Sequence, residues 1–153
     1  MHIKIIDAAT EARFKGMFAN YYAELGCDDD AEHLLDEYVL PDMRAGLVNI
    51  AVAEAENGPC GFVVWQVDSI ENEWCMREGE GTVRELFVEP YMRGNGVGKA
   101  LLSFAEGRIK ESGVARAYVL PSEGSDAFFM LCGYAESDER CDDMDCNFFY
   151  KTL

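Results

Sequence analysis

The pattern of apolar residues in the middle of the chain predicts a strand followed by a helix. Residues 82–88 are mostly branched or apolar, which is typical of a strand, and Pro90 prevents this strand from continuing. Beyond a glycine-rich loop, apolar residues recur with the spacing of one helical face, and Gly113 supplies a stop signal. We therefore predict a helix over residues 98–113, with Val97, Ala100, Leu101, Phe104, Ala105 and Ile109 on its apolar face.

The same patterns predict further elements on both sides of this unit. Residues 10–26 are expected to form a helix with Thr10 as its N-cap and Gly26 just past its end. A second helical stretch should bend or break near Pro41. The full series is a strand at 2–9, helices at 10–26 and 30–46, strands at 48–55 and 60–69 joined by a hairpin turn at 56–59, the central unit, a strand at 114–120, a short helix at 125–133, and a strand pair at 134–137 and 147–152.

Three glycines, Gly94, Gly96 and Gly98, lie at the joint between the central strand and its helix. Without side chains they let a ligand approach the backbone amides. The free amides at a helix start, together with the positive end of the helix dipole, favour an anion. The joint is therefore predicted to bind the phosphates of a nucleotide ligand.

The glycine pattern fits neither of two better-known phosphate motifs. A dinucleotide fingerprint would need a third glycine that is missing, and an NTPase phosphate loop would need Ser or Thr at Ala100. What remains is Arg93-x-x-Gly96-x-Gly98 after a strand. This motif resembles the acetyl-CoA loop of the GNAT superfamily of N-acetyltransferases, Arg/Gln-x-x-Gly-x-Gly/Ala at the opening of a helix.

The resemblance covers nearly the whole chain. The predicted order β-α-α-β-β-β-α-β-α-β-β is that of the GNAT fold, and residues 128–134 resemble the family segment F-Y-x-x-x-G-F with two aromatic changes. It implies a single N-acetyltransferase domain over residues 1–153, of α/β (α+β) class. The expected core is a twisted, mixed but mostly antiparallel sheet of about seven strands with helices on both faces.

Composition agrees with one domain and limits the partners. A chain of 153 residues with 49% hydrophobic residues can fill one core. Its longest uncharged runs are far shorter than the ~20 apolar residues of a membrane span, and its start lacks the regions of a signal peptide, so no membrane contact and a cytoplasmic location are expected. Cys141 and Cys146 lie among aspartates, but their spacing matches no zinc pattern, so no metal is predicted.

The formal net charge of -16 is unusual for a protein that binds an anionic ligand. Acidic runs at 27–30, 71–73 and 138–143 would repel nucleic acid, which excludes that partner. The ligand must find a local exception, which Arg93 and Lys99 supply. The acidic surface has two interpretations: it keeps the protein soluble, or it attracts a cationic amine as the acceptor.

The resemblance implies acetyl-CoA as the co-substrate and assigns residues to it. The backbone of Leu86, Phe87 and Val88 should pair with the pantetheine arm like an added strand, and the fourth and fifth strands should splay to admit it. The pyrophosphate should be held by Arg93, Gly94, Asn95, Gly96, Val97, Gly98 and Lys99. An acceptor would enter from the side of the two early helices, which carry Tyr21, Tyr22 and Tyr38.

Acetyl transfer needs a base more than an acid. An amine with a pKa near ~10 costs about 4 kcal/mol to deprotonate at pH 7, whereas a thiolate leaving group needs only ~2 kcal/mol of help. Glu85 is the candidate base, since alternation should place it on one face with Val83 and Phe87, and apolar surroundings raise a carboxyl pKa. The alternative is a structural ion pair of Glu85 with a cation such as Arg84 or Arg116; Glu54 is a second candidate base.

The acid side departs from the family. Where many GNAT members carry the tyrosine that protonates the thiolate, this chain has Phe129, for which core packing is the simpler explanation. Tyr134 is the candidate acid, with Ser122, Ser125 and Tyr118 as alternatives, or the thiolate leaves unaided.

The resulting hypothesis is acetyl transfer from acetyl-CoA to a primary amine of a small molecule or peptide, by direct attack of the amine on the thioester. A non-catalytic acyl-CoA sensor or interaction module is the alternative, supported by Phe129. The sequence is compatible with a homodimer but does not determine the oligomeric state.

Overall fold

Strands and helices follow one another along the chain nearly as the sequence predicts. The computed structural model describes residues 1–27 and 29–153; Asp28, in the predicted acidic run 27–30, lies outside the described residues. The strands are β1 (His2–Ile5), β2 (Asn49–Ala55), β3 (Gly58–Val67), β4 (Gly81–Val88), β5 (Arg116–Val119), β6 (Ala135–Cys141) and β7 (Cys146–Thr152). The α-helices are α1 (Ala8–Leu25), α2 (Ala31–Leu34), α3 (Leu40–Arg44), α4 (Val97–Glu111) and α5 (Asp126–Leu131), with a π-helical turn at Leu35–Val39 and a 3₁₀ turn at Pro90–Met92.

The seven strands form one sheet in the order β1-β2-β3-β4-β5-β7-β6. Every neighbouring pair is antiparallel except β4 and β5, which are parallel. Their pairing is short, with Gly81 opposite Ala117 and Thr82 opposite Tyr118. The rest of β4 therefore separates from β5, as the resemblance implies, and the predicted fold class is confirmed.

The sheet has a hydrophobic core on each face. On one face Trp65, Val83 and Phe149 pack against α4, with Leu101 and Leu102 fully buried. On the other face α1 and the α2–α3 segment cover the sheet through a cluster that includes Phe14, Phe18, Leu35, Leu40, Phe62 and Phe87. Helices thus lie on both faces, and β4 runs between the two cores.

The start of α1 differs from the prediction. Strand β1 ends at Ile5, and Asp7 rather than Thr10 is the N-cap: its side chain accepts a hydrogen bond from the Thr10 amide at 2.9 Å. Thr10 completes a capping box, because its hydroxyl accepts from the Asp7 amide at 3.1 Å. Both residues are good caps by type, and the helix begins at the earlier one.

The second helical stretch is interrupted just before Pro41, in agreement with the expected irregularity. The Leu40 amide donates to the Leu35 carbonyl, five residues earlier, which makes a π-helical turn. Pro41 then lies in the first turn of α3, where its missing N–H is tolerated. Among the described residues, no helix is both long and apolar enough to cross a membrane.

Candidate active site

The joint between β4 and α4 presents backbone amides without side-chain caps. Gly96 is the N-cap of α4 with φ 80° and makes no side-chain capping bond, and Gly94 has φ 77°. These left-handed conformations suit glycine. The Asn95 side chain folds back and donates to the carbonyls of Met92 and Arg93 at 3.2 and 3.1 Å. The first amides of α4 therefore have no side-chain cap among the described residues, an arrangement that favours an anion.

A cavity of about 400 Å³ lies against these amides. It is lined by Leu86, Val88, Met92, Arg93, Gly94, Gly96, Val97, Gly98, Lys99 and Phe128. Of the residues predicted to bind the cofactor, the structure brings together all but Phe87 and Asn95. Met92 and Phe128 are additional; Phe128 is the first residue of the segment 128–134, and nothing in the sequence marked it as a cofactor contact.

The edge of β4 that faces the cavity carries backbone groups that no neighbouring strand pairs. The Glu89 amide donates to the Cys60 carbonyl of β3 at 2.9 Å. Because strand residues alternate, the backbone groups of Leu86 and Val88 point away from β3, toward the gap beside β5. Phe87 is the exception among the predicted residues: its backbone faces β3 and its ring is buried in the opposite core, since its neighbours occupy the cavity side.

The Arg93 guanidinium is engaged by other protein groups. Its guanidinium donates to the Val88 carbonyl at 2.8 Å and forms an ion pair with Glu24 of α1 at 2.7 Å. These contacts raise the pKa of Arg93 and lower that of Glu24. Arg93 therefore fixes the loop to β4 and α1. Lys99 is exposed on the first turn of α4 and lines the cavity.

We expect Glu24→Gln to tighten CoA binding. Removing the Glu24 carboxylate frees the Arg93 guanidinium for the pyrophosphate and removes a negative charge close to the cavity. The dissociation constant for coenzyme A should therefore fall by roughly 2- to 5-fold. This range agrees with a partly exposed ion pair that is worth less than ~1 kcal/mol. Isothermal titration calorimetry measures the constant. Glu111→Gln, which disrupts the surface pair with Arg108, is the matched control. Weaker binding by the Glu24 variant would instead show that the ion pair organises the loop.

Strand β4 contains an irregularity that changes which residues share a face. Val64 lies opposite Glu85, but the next residue of β3, Trp65, lies opposite Val83. Arg84 is thus an extra residue in β4, as in a β-bulge. The prediction that Glu85 shares a face with Val83 and Phe87 is wrong for Val83, because the bulge reverses the alternation. Glu85 lies with Phe87 on the face of α1.

Glu85 is held by tyrosines of α1 rather than by an ion pair. The Tyr22 hydroxyl donates to Glu85 Oε1 at 3.5 Å. Protein atoms enclose the Glu85 carboxyl, although part of the side chain is accessible, and this burial raises its pKa. Hydrogen bonds from Tyr21 and Tyr22 and the positive charge of Arg84 oppose this rise in pKa in part. A raised carboxyl pKa suits a general base.

The other candidate partners and bases lie elsewhere. Within the described part of the chain Glu85 has no ion pair, and Arg116 pairs instead with Glu80. Glu54 pairs with Lys4 of β1 at 3.3 Å and is not brought to the site.

The predicted acid, Tyr134, does not line the cavity. The chain turns at Gly133, with φ 97°, and Tyr134 packs inward against Phe129, leaving 3% of its surface exposed. Burial and the nearby Glu106 raise its pKa, which makes the hydroxyl a weaker proton donor. Phe129 itself belongs to the core around α4.

The alternatives to Tyr134 are also engaged. Tyr118 donates to buried Asp68 at 2.5 Å, and Ser125 donates to the Ser122 carbonyl at 2.8 Å. None of the three residues is among those lining the cavity.

Several aromatic residues and one cation surround Glu85 on the α1 face. Tyr21 packs on Phe87 with ring centroids 5.9 Å apart, and Tyr38 packs on Trp74 at the same separation. Arg84 stacks on Trp74, with 4.4 Å from its guanidinium carbon to the ring centroid. Sequence analysis did not single out Trp74 and named Arg84 only as a cation that could pair with Glu85, because neither residue belongs to a motif. Arg84 places a positive charge on this face of an otherwise acidic protein. A preference for cationic acceptors stays a prediction.

The fold and the site define a class: a mixed α/β protein in which a helix start with uncapped backbone amides lies beside an unpaired strand edge. A family model described as an acetyltransferase (GNAT) domain matches residues 47–136, which is more than half of the chain. The chain belongs to the GNAT acetyltransferase family.

One curated protein matches part of the chain. A probable N-acetyltransferase 14 of Danio rerio is 33% identical over 81 residues, which cover 46% of this chain and 29% of that protein. The chain thus spans less than a third of the curated relative that it matches.

Two solved structures share the fold. A GNAT-family acetyltransferase of Staphylococcus aureus Mu50 superposes with a TM-score of 0.75 at 15% identity, over 99% of this chain and 98% of that chain. The PaiA N-acetyltransferase of Thermoplasma acidophilum, solved in complex with coenzyme A, gives a TM-score of 0.71 at 16% identity, over 100% of both chains.

Proposed function

We propose that this protein transfers an acetyl group from acetyl-CoA to a primary amine of a small molecule or peptide. The observation that carries the proposal is the free edge of β4 at Leu86 and Val88, directly beside the uncapped amides of α4. An extended arm ending in a pyrophosphate fits this arrangement, since the edge offers strand-like hydrogen bonds and the helix start offers an anion site. The similar PaiA N-acetyltransferase structure, which was solved in complex with coenzyme A, adds support.

In this proposal each region of the site has one task. Acetyl-CoA, when bound, supplies an activated acetyl thioester. The amides from Gly94 to Lys99 would hold its pyrophosphate, and the backbone groups of Leu86 and Val88 that no neighbouring strand pairs would hold the arm. Phe128 and Val97 provide apolar walls.

Glu85 accepts the proton that the attacking amine must lose. Burial raises its pKa above the ordinary range for a carboxyl, which narrows the gap to the amine, and Tyr22 keeps the carboxylate in place. The gap between β4 and β5 lets an acceptor on the α1 face reach the arm. With Phe129 at the family's acid position, the thiolate leaves without a tyrosine donor, a step that needs only ~2 kcal/mol of help.

Two measurements test this function. Coenzyme A at ~100 times its dissociation constant should stabilise the fold by about 2.7 kcal/mol, giving a clear thermal shift. A screen of amines, aminoglycosides and peptides should release free thiol from acetyl-CoA only when an acceptor is present. A melting shift by NAD or ATP without one by coenzyme A would rule out the assignment.

A non-catalytic acyl-CoA sensor is the second candidate, and the buried Phe129 favours it. A sensor would show the coenzyme A shift but no thiol release with any amine. An acceptor-dependent rate above that of hydrolysis would exclude it.

A further inference from the structure

The β-bulge at Arg84 places this residue beside Glu85 on the acceptor side of the sheet. The side chains of a strand normally alternate between the two faces of the sheet, but at a β-bulge two consecutive side chains can lie on the same face. Arg84 donates to Gln66 Oε1 at 3.1 Å, and Gln66 belongs to β3 on that same face. Glu85 lies between the tyrosines of α1. A cation and a candidate base are therefore adjacent.

The half-buried Arg84 guanidinium is held in place by Gln66 and Trp74. Fully buried Gln66 is fixed by its own bonds to Asp68 Oδ1 at 2.7 Å and to the Trp74 carbonyl at 2.9 Å. The Trp74 ring supports one face of the guanidinium at 4.4 Å. The guanidinium is therefore pre-oriented, which lowers the ordering cost of binding an anion.

Most hydrogen-bond donors of Arg84 have no partner among the residues that the structure describes. A guanidinium carries five N–H donors, and the recorded bond within the described residues is the one to Gln66. No carboxylate there forms an ion pair with it, although the charges of Glu85, Asp42 and Asp68 reach it. Burial of the half-buried group lowers the pKa of Arg84, and the charges of Glu85, Asp42 and Asp68 oppose this effect in part.

We propose that the acceptor carries a carboxylate close to its amine, as an amino acid does, and that Arg84 binds this carboxylate while the amine faces Glu85. The inference rests on the proposed acetyl transfer and names its substrate class. A planar guanidinium matches a carboxylate through two parallel hydrogen bonds. The neighbouring positive and negative side chains complement a zwitterion better than a polyamine.

Acceptors that differ only in the carboxylate test the proposal. An amino acid, its carboxamide and its decarboxylated amine are compared by thiol release, with rates expressed per unprotonated amine because the three amine pKa values differ. The amino acid should have a kcat/KM higher by about 10- to 100-fold, the range expected for a hydrogen-bonded ion pair. Arg84→Gln should remove this preference, and Arg84→Lys should keep part of it.

Binding without turnover provides a second readout. Because Trp74 lies under Arg84 and Trp65 is buried in the other core, the amino acid should change Trp74 fluorescence in protein saturated with coenzyme A. The amide should require a concentration about 10-fold higher, and Arg84→Gln should abolish the difference. Arg108→Gln, at a surface arginine of α4, is the matched control.

The outcomes separate the two proposals. Equal binding and turnover of amino acid and amide by the unaltered protein would overturn the Arg84 assignment while acetyl transfer stands. Selective binding of the amino acid without turnover of any amine would support the Arg84 site and overturn the catalytic proposal. An equal loss for all acceptors in Arg84→Gln, at unchanged circular dichroism, would show a structural role and overturn the assignment.

Discussion

Replacing Glu85 by glutamine is expected to lower the turnover of acetyl transfer by roughly 100-fold or more, with CoA binding unchanged. Glutamine keeps the size of the side chain and its contact with Tyr22 but cannot accept a proton. The rate of the unaltered enzyme should rise with pH as the Glu85 carboxyl ionises, and the pKa of this step should lie above the ordinary value for glutamate. Raising the pH should partly rescue the variant, since more amine is then free.

Thermal stability separates the catalytic role of Glu85 from a structural one. A carboxyl whose pKa is raised by folding binds protons more tightly in the folded state, so its burial costs stability as pH rises above the unfolded pKa. Glu85→Gln should therefore melt at the same temperature or higher at pH 7. Glu111→Gln at an exposed site serves as the control. Earlier melting with full activity per folded molecule would identify Glu85 as a structural residue.

A side chain at Gly96 is expected to abolish the stabilisation of the fold by coenzyme A. In the unaltered protein this stabilisation should raise the free energy of unfolding by about 2.7 kcal/mol when coenzyme A is present at ~100 times its dissociation constant. Gly96 has φ 80°, where a branched side chain is strained, and its Cβ would stand at the start of α4 where the phosphates should bind. Gly96→Val should therefore both displace the loop and block the amides. Circular dichroism and melting with and without coenzyme A measure the effect.

Two further glycines control for strain. Gly98 has no left-handed backbone, and an added Cβ would meet Phe128 at 3.5 Å and Val88 at 3.6 Å, which is ordinary contact. Gly98→Ala should thus keep the fold and still reduce the stabilisation by coenzyme A, because the methyl group narrows the cavity. Gly107→Ala lies within α4 in open space and should stabilise the helix by about 0.5–1 kcal/mol with the shift intact. An undiminished shift in both cavity variants would move the CoA site elsewhere.

The differences between prediction and structure are concentrated at positions decided by more than one element. Thr10 and Asp7 are both good caps, and the two residues form one capping box. Tyr134 follows the turn at Gly133, whose direction depends on packing against Phe129 and α4. Neither outcome is encoded in residue type alone.

The order of strands and helices and the position of the phosphate loop follow from sequence alone, because apolar periodicity and glycine act within a few residues of the chain. Tertiary structure decided what lies around Glu85. The extra residue in β4 becomes visible only when β4 is paired with β3, and this register turns Arg84 and Glu85 to the same face. Counting alternation along β4 alone, as the sequence analysis did, wrongly places Glu85 on the same face as Val83. The charge of the site, and with it the proposed substrate preference, therefore depends on contacts between distant segments, which single-chain patterns do not contain.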